Sequence, residues 1–511
     1  MSKPKRGLKG RRSERRTSAL EHLPPSSTTP LSGRVASVLT ESDVSALHAG
    51  TLQVLENTGV RFDDEEALAI FNAHPDATVD GNVVRFRPRL VEWAIEKTPS
   101  KYTLHARNPK YDLAMGEGNV YYASGFGSTF YCDLERQVYR KATLADLHDY
   151  YVLADYLQNV HYLLMAFVPQ DIDPEFAELY AIAVQLNSTE KHVGLSTPTA
   201  HFIDEILTMG ELVRDSVGAE GPVFHWGMTA NSPLTYSDEM TPKAIKCSAS
   251  GIPFRISCGP LAGATAPVTL AGTLVVQNAE ILAGLTLCQL VNPGTVVIYG
   301  TFGGAMDMRS GKWAAAGPEL ALMNAATGQL CRMYRIPLGY GTGGIGDSRT
   351  PDVQAGAEKA LSILFTALCG VEVIHHGVSG NLAGAMATNF EQLVIDNEIA
   401  DMVNKMMRGF KVDANSMALD LIHTVGHGNH YLDQSHTMDH FMREHYMSPL
   451  FNRQYQLEWP ASEEETLLGR TREKVRQILG QHRPPELDRT VQARIQDIID
   501  KVTGGERRVF K

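Results

Sequence analysis

Eight short apolar runs, each ending in small or polar residues and each followed by a helical pattern, fill the middle of this 511-residue chain. The runs begin about 31 to 42 residues apart, which is the length of one strand–loop–helix–loop unit. Parallel strands that are covered on both faces read as continuous apolar segments, and most of these runs do. We therefore predict an α/β fold in which eight units close into a (β/α)8 TIM barrel. The predicted strands start at residues 119, 160, 191, 222, 253, 295, 337 and 371.

The regions on either side of the barrel have different patterns. A Pro/Ser/Thr cluster ends a basic N-terminal segment, and further helical patterns follow the last barrel unit. We predict a disordered basic leader at 1–33, an N-terminal α+β cap at 34–115, the barrel at 116–411, and a C-terminal helical extension and tail at 412–511. The predicted barrel helices span 144–156, 174–186, 203–217, 237–249, 269–291, 317–334, 352–369 and 390–409.

The charge balance and the cysteines limit the class of protein. The chain has 47 Lys+Arg against 58 Asp+Glu, for a formal net charge of -11, which argues against nucleic acid as a partner. It has no run of 18 apolar residues, and its basic start has no apolar segment typical of a secretory signal, so we expect no membrane association. The six cysteines form no CxxC pair, which is typical of a reduced, cytoplasmic protein.

A glycine-rich stretch, PLGYGTGGIGDSRTPDVQ, runs from Pro337 to Gln354. It contains the GxGxxG spacing, but a polar segment intervenes before the helix that Thr350 and Pro351 are predicted to begin. A dinucleotide fingerprint needs its helix to begin within the glycines, and no Gly-Lys-Ser/Thr follows, so neither a dinucleotide site nor a P-loop is indicated. The glycines instead allow close approach of something large to the backbone at the end of a strand.

The active site of a TIM barrel is built from the carboxyl ends of its strands and the loops that follow them. At those positions this chain has aromatic, hydroxyl and glycine residues and few carboxylates. Such a surface favours a cation held against aromatic faces, where one contact contributes roughly 0.5 to 2 kcal/mol. The candidate substrate-binding residues are Phe126, His225, Trp226, Tyr299, Phe302, Asp347, Arg349 and His376.

A structural interpretation competes with most of these assignments. Neighbouring residues on a strand point to opposite faces, so at most one of His225 and Trp226 can face the barrel interior, and the same holds for His375 and His376. Tyr299 and Phe302 are also suitable as ordinary barrel filling, and Asp347 as an acceptor for backbone N–H groups in its loop. Glu391 is predicted to form a capping box with Thr388, so it receives no catalytic role.

A histidine-rich stretch near the C-terminus, HTVGHGNHYLDQSHTMDH, raises the possibility of a metal site. His423 and His427, and likewise His436 and His440, have the i, i+4 spacing of helical zinc ligands. Neither pair carries the Glu of HExxH, and glycines interrupt the first pair. We favour capping and packing roles and assign no metal ligand, with zinc kept as the alternative.

Two segments carry a resemblance to a known family. GTGGIGDSRTPDVQAGAEKALSILFTALCGVEVIHHG, followed by NFEQLVIDNEIADMV, resembles the trimethylamine methyltransferase family of corrinoid-dependent methyltransferases, as do NTGVRFDDEEAL and GNHYLDQSHTMDHF. The resemblance covers the chain from about residue 40 to 480. It implies a TIM barrel that receives a methylated amine and docks a small corrinoid protein, whose cobalt(I) accepts the methyl group.

The resemblance also indicates a branch of that family. Members acting on trimethylamine carry pyrrolysine in the barrel, and this sequence contains none. It is therefore similar to the non-pyrrolysine branch, which includes enzymes for glycine betaine and related quaternary amines, although Arg349 stands where that branch often has Lys. A quaternary ammonium leaves as a neutral tertiary amine without a proton donor, so no catalytic residue is assigned.

The same resemblance sets the expected cofactor and partners. No DxHxxG cobalamin-binding signature occurs, so the methylcorrinoid is expected on a separate small corrinoid protein rather than tightly bound here. Gly343, Gly344 and Gly346 would then form the loop that the corrinoid approaches. We also expect a homo-oligomer, with the C-terminal helices as a possible interface. The competing functions are a methylated-amine binding barrel without transfer activity and a zinc-dependent methyltransferase.

Overall fold

The structure is a computed structural model that describes residues 36–196, 201–453, 462–505 and 507–510. The leader predicted at 1–33 lies outside the described residues. Residues 36–115 contain both helices and strands, and we refer to this segment as the cap. Its elements are α1 (Glu41–Asn57), β1 (Val60–Phe62), α2 (Glu65–Asn72), β2 (Ala77–Asp80), β3 (Val83–Phe86), α3 (Pro88–Lys97), β4 (Tyr102–Leu104) and β5 (Leu113–Met115).

The remaining strands lie between residues 121 and 388. They are β6 (Tyr121–Tyr122), β7 (Phe130–Asp133), β8 (Val138–Lys141), β9 (Tyr162–Leu163), β10 (His192–Gly194), β11 (Phe224–Ala230), β12 (Thr235–Tyr236), β13 (Phe254–Cys258), β14 (Leu261–Ala262), β15 (Val297–Thr301), β16 (Gly304–Asp307), β17 (Lys312–Ala314), β18 (Leu338–Thr342), β19 (Val373–His375), β20 (Asn381–Leu382) and β21 (Ala387–Thr388).

A parallel sheet of eight strands forms the centre of the molecule, in the order β6-β19-β18-β15-β13-β11-β10-β9. These are the eight predicted strands. Parallel bridges from Ala123 to Tyr162 and from Ser128 to Phe167 connect the two edge strands, β6 and β9. The sheet is therefore a nearly closed barrel, and the predicted fold class is confirmed.

Helices alternate with the barrel strands and cover the outside of the sheet. They are α4 (Leu144–Tyr156), α5 (Ala177–Asn187), α6 (Ile203–Val217), α7 (Thr241–Ala249), α8 (Leu270–Val291), α9 (Pro318–Tyr334), α10 (Val353–Leu368) and α11 (Phe390–Arg408). Beyond the barrel follow α12 (Ala414–Met417), α13 (Leu419–Val425), α14 (Ser435–Glu444), α15 (Leu467–Gln481) and α16 (Arg489–Thr503).

Two predicted helix starts are wrong in detail. Helix α10 is capped by Asp352, whose side chain accepts a hydrogen bond from the Ala355 N–H, rather than by Thr350. Helix α11 is capped by Asn389 and not by Thr388, which belongs to β21. In both cases the chain offers two polar residues within three positions, and the residue whose oxygen reaches the N3 amide becomes the cap.

Helix α8 packs in the core although it resembles a membrane span by composition. It is the one described helix that is long and apolar enough to cross a membrane, and 78% of its apolar window is buried inside the protein. Buried Glu280 near its middle accepts hydrogen bonds from the Ser232 hydroxyl and the Leu234 N–H. The helix therefore also holds the loop that follows β11.

A buried ion pair joins α10 to α11 and holds two loops at the barrel mouth. Lys359 and Asp396 are fully buried, with 2.8 Å between Nζ and Oδ2. Asp396 also accepts from the N–H groups of Ser379 and Gly380, and Lys359 donates to the Gly344 carbonyl. Burial lowers the pKa of Lys359, while the Asp396 carboxylate opposes that shift. The loops after β18 and β19 are thus fixed through this pair.

We expect the Lys359→Met variant to lose about 3–5 kcal/mol of its free energy of unfolding, because it leaves a buried carboxylate without its cation. Urea unfolding of the purified protein measures this. The control is Arg214→Met, which breaks the exposed pair with Asp215 and should change stability by less than about 1 kcal/mol. Equal unfolding midpoints for Lys359→Met and the unsubstituted protein would contradict a structural role for the pair.

Candidate functional site

The lower half of the barrel interior is filled by apolar side chains. Tyr121, Tyr162, Leu164, Ile298 and Val373 form one buried cluster with residues of β4 and β5. The β4–β5 hairpin belongs to the cap, so the cap closes the bottom of the barrel. A ligand can therefore enter only at the carboxyl ends of the strands, as is usual for this fold.

A layer of polar side chains lies above this apolar plug. Its members come from five of the eight barrel strands and are all nearly inaccessible to solvent. They are His192 on β10, His225 on β11, Arg255 on β13, Tyr340 on β18 and His375 on β19. Three of these side chains have buried nitrogen atoms without a hydrogen-bond partner among the described residues. Buried polar groups are normally paired, so this layer is the strongest candidate for a binding site in the barrel.

Arg255 supplies the charge of this layer. Its Nη2 donates to the Ser196 hydroxyl at 2.5 Å, and its guanidinium carbon lies 4.6 Å from the centre of the Tyr340 ring. Its Nε and Nη1 have no partner in the described chain. A Cβ at Gly227 on the adjacent strand would lie 2.6 Å from Nε. Position 227 must therefore be glycine for the arginine to occupy this place.

Two hydrogen-bonded histidines with nearly parallel ring planes form one wall of the layer. His192 Nδ1 lies 2.6 Å from the His105 carbonyl, and its Nε2 lies 2.9 Å from His225 Nδ1. A carbonyl only accepts, so His192 carries its proton on Nδ1 and accepts at Nε2 from the Nδ1–H of His225. His225 Nε2 is then an unprotonated, buried acceptor without a partner. Burial, with a smaller contribution from His192 and Arg255, lowers the pKa of His225 well below its ordinary value.

His375 and His376 end the layer on the opposite side. The His375 ring centre lies 3.4 Å from that of Tyr340, and neither of its nitrogens has a described partner. His376 has a φ of 61°, a strained backbone conformation for a non-glycine residue. Its Nδ1 donates to Asn381 Oδ1 at 2.6 Å. Because His376 has left the strand conformation, simple alternation no longer decides which way it points.

Four of the sequence-predicted residues lie near this layer. His225 belongs to it, and His376 packs perpendicular to His375 at 4.4 Å. Phe126, just beyond β6, is partly exposed and contacts the apolar plug. Phe302, just beyond β15, is partly exposed and fills the place that a side chain at position 259 would need. Both phenylalanines therefore follow the carboxyl end of a barrel strand.

The other four lie elsewhere. Trp226 is buried in the main core between the sheet and the helices, opposite to His225 as alternation requires. Tyr299 also points outward, and its hydroxyl donates to Asn278 on α8 at 2.7 Å. Asp347 accepts from the N–H groups of residues 315 and 316, and burial raises its pKa. Arg349 is exposed on the loop surface. The structure does not bring these four to the polar layer.

The glycines of the predicted corrinoid loop are buried by the chain itself. Gly344 has a φ of 89°, and a Cβ there would overlap the His376 carbonyl. A Cβ at Gly343 would lie 3.0 Å from Ile374, and one at Gly346 would contact Lys359. Close approach of β19 and the loop after it accounts for Gly343 and Gly344, whereas a side chain at Gly346 would make only ordinary contacts. The corrinoid role of this loop therefore stays a prediction.

The histidine-rich stretch lies far from the barrel layer, on an exposed segment after α11. His423 and His427 are exposed, and the rings of His436 and His440 lie 4.3 Å apart. No group of three or more His, Cys, Asp or Glu residues within the described ranges is arranged to hold a metal ion.

Sequence reasoning missed the most charged member of the layer. Arg255 stands inside the apolar run PFRISCGP, ahead of the strand-end residues that were considered. A charged residue within a strand that is covered on both faces is unusual, and that signal alone singles it out. Tyr340 and His375 carry no comparable signal, because buried aromatic residues are common in such strands.

Comparison with known proteins gives consistent matches over the whole chain. The model of the family described as trimethylamine methyltransferase (MTTB) matches residues 5–505. A glycine betaine methyltransferase from Desulfitobacterium hafniense (strain Y51) is 34% identical over 465 residues, covering 90% of this chain and 96% of that protein. Trimethylamine methyltransferase MttB from Desulfitobacterium hafniense (strain DSM 10664 / DCB-2) is 32% identical, covering 90% and 93%.

An archaeal relative and a solved structure extend these matches. Trimethylamine methyltransferase MttB from Methanosarcina barkeri is 31% identical over 487 residues, covering 92% of this chain and 96% of that protein. The crystal structure of the Methanosarcina barkeri monomethylamine methyltransferase (MtmB) is 13% identical, with a TM-score of 0.47 over 73% of this chain and 78% of that one. The fold described above rests on the strand pairing and not on this last similarity.

We expect the free energy of unfolding to fall as the pH drops from about 6.5 toward about 4. Burial lowers the pKa of His192 and of His376 to about 4 and that of His161 to about 3. Below pH 6.5 the unfolded chain binds protons that the folded chain does not, and each such histidine removes up to about 1.4 kcal/mol per pH unit. Urea unfolding at about pH 7 and about pH 5 measures the loss.

Two variants test whether the buried histidines cause this dependence. His192→Gln should make the fall with pH shallower, because one titrating group is removed. His148→Gln, at an exposed position, should leave it unchanged. A protein equally stable at both pH values would show that the buried histidines do not resist protonation.

Proposed function

Since the chain belongs to the trimethylamine methyltransferase family, we propose that it transfers a methyl group from a quaternary amine similar to glycine betaine to the cobalt(I) of a separate corrinoid protein. The observation that carries the proposal is the 34% identity to a glycine betaine methyltransferase along 96% of that protein. The sequence also contains no pyrrolysine, which the resemblance associates with members acting on trimethylamine.

The chemistry of a quaternary amine agrees with the residues of the barrel. The corrinoid supplies an electron pair from cobalt(I) that takes the methyl group, and the electrons of the broken C–N bond stay on nitrogen as a lone pair. The product is a neutral tertiary amine, so no side chain has to donate a proton. The work of the protein is then to orient the substrate and exclude water. A buried layer of neutral histidines and hydroxyl groups suits that task.

Two aromatic residues at the mouth are the proposed contacts for the methylated ammonium. Phe126 and Phe302 are partly exposed beyond the ends of β6 and β15, which are separated in the barrel by β19 and β18, and their faces can receive a cation. His225 and His376 are retained as polar contacts to the substrate. Trp226, Tyr299, Asp347 and Arg349 receive no substrate role, because their positions are explained by core packing, loop hydrogen bonds or the outer surface.

The methyl acceptor is proposed to arrive on a small corrinoid protein. The barrel mouth is the open end, so the partner has to approach over the loops that follow the strands. We expect this to take place in the cytoplasm. The six cysteines are free and buried, which agrees with a reducing compartment.

We also expect the protein to associate with itself through the exposed segment at residues 410–447, which we term the arm. Helices α12 and α14 of the arm have no buried residue. Its apolar side chains are unusually exposed, with Phe410 at 81% and Leu432 at 79%. Apolar surface of this kind is typical of a protein interface.

The double variant Phe410→Asp/Leu432→Asp should have a smaller particle mass than the unsubstituted protein, because charge on the arm opposes burial of its apolar face. Light scattering after size-exclusion chromatography measures the mass. The control is Val268→Asp, at another exposed apolar position outside the arm (67% exposed). An unchanged mass for the double variant would exclude the arm as the interface.

The transfer activity can be tested with free cob(I)alamin in place of the partner protein. We expect methylcobalamin and a demethylated amine to form in equal amounts with a quaternary amine from the series glycine betaine, proline betaine, carnitine and choline. Trimethylamine should give neither product. Absorption spectroscopy follows the cobalamin, and mass spectrometry identifies the amine.

Two other results of this experiment would favour the competing functions. Binding of a quaternary amine without transfer, either to cob(I)alamin or to a corrinoid protein from the same source, would favour the binding barrel. Transfer that is lost on chelation, together with bound zinc in the purified protein, would favour the zinc-dependent methyltransferase.

A further inference from the structure

Within the described residues, the charge of Arg255 is not neutralised by an ion pair. Its side chain is buried, and its Nε and Nη1 have no partner there. The titratable groups around it include His225, His375 and His376, whose pKa values are all lowered, so they are neutral near pH 7. They also include Tyr162 and Tyr340, whose pKa values are raised by burial, and Lys243, and none of these supplies a negative charge. A buried guanidinium with no anion is unfavourable unless something else supplies the negative charge.

The surroundings of Arg255 hold it in one position. Ser196 accepts from Nη2, Tyr340 lies under the guanidinium plane, and Gly227 leaves the space that the side chain occupies. Two of its three nitrogens, Nε and Nη1, still have no partner in the described chain. A fixed guanidinium with free N–H groups can donate charge-assisted hydrogen bonds to a carboxylate.

The guanidinium lies at the level where a substrate binds in this fold. Ser196, which it contacts, comes two residues after the carboxyl end of β10. Through Ser196 the guanidinium reaches the carboxyl end of β10, the same end of the barrel at which Phe126 and Phe302 follow β6 and β15. This end of the barrel thus combines a buried positive charge with an aromatic rim of two partly exposed rings.

We propose that Arg255 binds the carboxylate of the substrate, and that the substrate class is therefore zwitterionic quaternary amines. This deepens the proposed function and rests on it for the identity of the ammonium group. Repulsion by the guanidinium turns the ammonium toward the aromatic rim, which places a methyl group at the open end where the acceptor approaches. Amines that lack a carboxylate, such as choline and trimethylamine, meet the same positive charge without compensation and are disfavoured.

Calorimetric titration of the full chain tests the site without any corrinoid. The ligands are glycine betaine, 3,3-dimethylbutyrate and choline. In 3,3-dimethylbutyrate a carbon atom replaces the ammonium nitrogen of glycine betaine, so it keeps the carboxylate and the shape without the positive charge. Choline keeps the ammonium but has no carboxylate. We expect Arg255→Gln to weaken both carboxylate ligands by at least about tenfold, and Arg255→Lys to restore part of the loss. The control Arg309→Gln, at a side chain that is 92% exposed, should bind like the unsubstituted protein.

A second readout separates binding from a structural role. Because Arg255→Gln removes a buried charge that has no partner, the ligand-free variant should melt at the same temperature as the unsubstituted protein or higher. The rise in melting temperature on adding glycine betaine should be lost. A lower melting temperature without ligand, combined with unchanged binding, would assign Arg255 to structure and overturn the proposal. Equal losses for choline and glycine betaine would also overturn it.

The outcome can be separated from that of the proposed function. If carboxylate binding depends on Arg255 but no quaternary amine supports transfer, the anion site stands and the transfer proposal fails. If glycine betaine is demethylated and Arg255→Gln leaves its KM and kcat unchanged, the transfer proposal stands and the anion site fails. A raised KM with a smaller change in kcat would support both.

Discussion

The ion pair between Lys359 and Asp396 is the interaction on which the upper part of the barrel depends. Each partner makes further hydrogen bonds to the backbone, so one pair ties two helices to the loops after β18 and β19. These loops contain the glycine-rich turn and the segment with His376 and Asn381. A buried pair is stable only when its remaining hydrogen bonds are also made, and here they are. The position of His376 at the mouth is thus decided by contacts in the helical layer outside the sheet.

Arg255 and Lys359 illustrate two uses of a buried cation. Lys359 has a carboxylate at 2.8 Å and a carbonyl beside it, and it serves the structure. Arg255 has a hydroxyl and an aromatic ring, which position it without neutralising it. Burying a charge without neutralising it lowers the free energy of unfolding, and such a loss of stability is typical of binding sites. By this contrast, Lys359 stabilises the barrel, whereas Arg255 is positioned to bind a ligand.

The sequence predicts the order of elements well and the direction of side chains poorly. The eight strands and their helices follow from apolar runs and spacing, because the need to bury both faces of a parallel sheet leaves few other arrangements. Because residues on both faces of a barrel strand are buried, the sequence does not show which of them point to the interior and which to the outer helices. Every residue of β15 is buried, so hydrophobicity does not reveal that Ile298 points inward and Tyr299 outward. His225 and Trp226 were ambiguous for the same reason, and only the observed packing decides between them.

The glycine-rich stretch shows a related limit. A glycine reports that something comes close to the backbone, but it does not report what. At Gly344 the neighbour is the carbonyl of His376, and at Gly227 it is the side chain of Arg255. Both contacts join segments that are distant in sequence or on another strand. The sequence therefore singles out Gly344 but not Gly227. At neither position does it reveal which group lies against the glycine.

The cap sheet contains one strand that the cap itself does not supply. Its order is β12-β1-β3-β2, and β12 comes from the loop that follows β11, more than a hundred residues later in the chain. During synthesis on the ribosome, β1 is made early but its edge stays unpaired until Tyr236 has emerged. The cap therefore completes its sheet only when half of the barrel strands already exist. Until then the edge of β1 is open to pairing with other nascent chains, and its pairing with β12 removes that hazard.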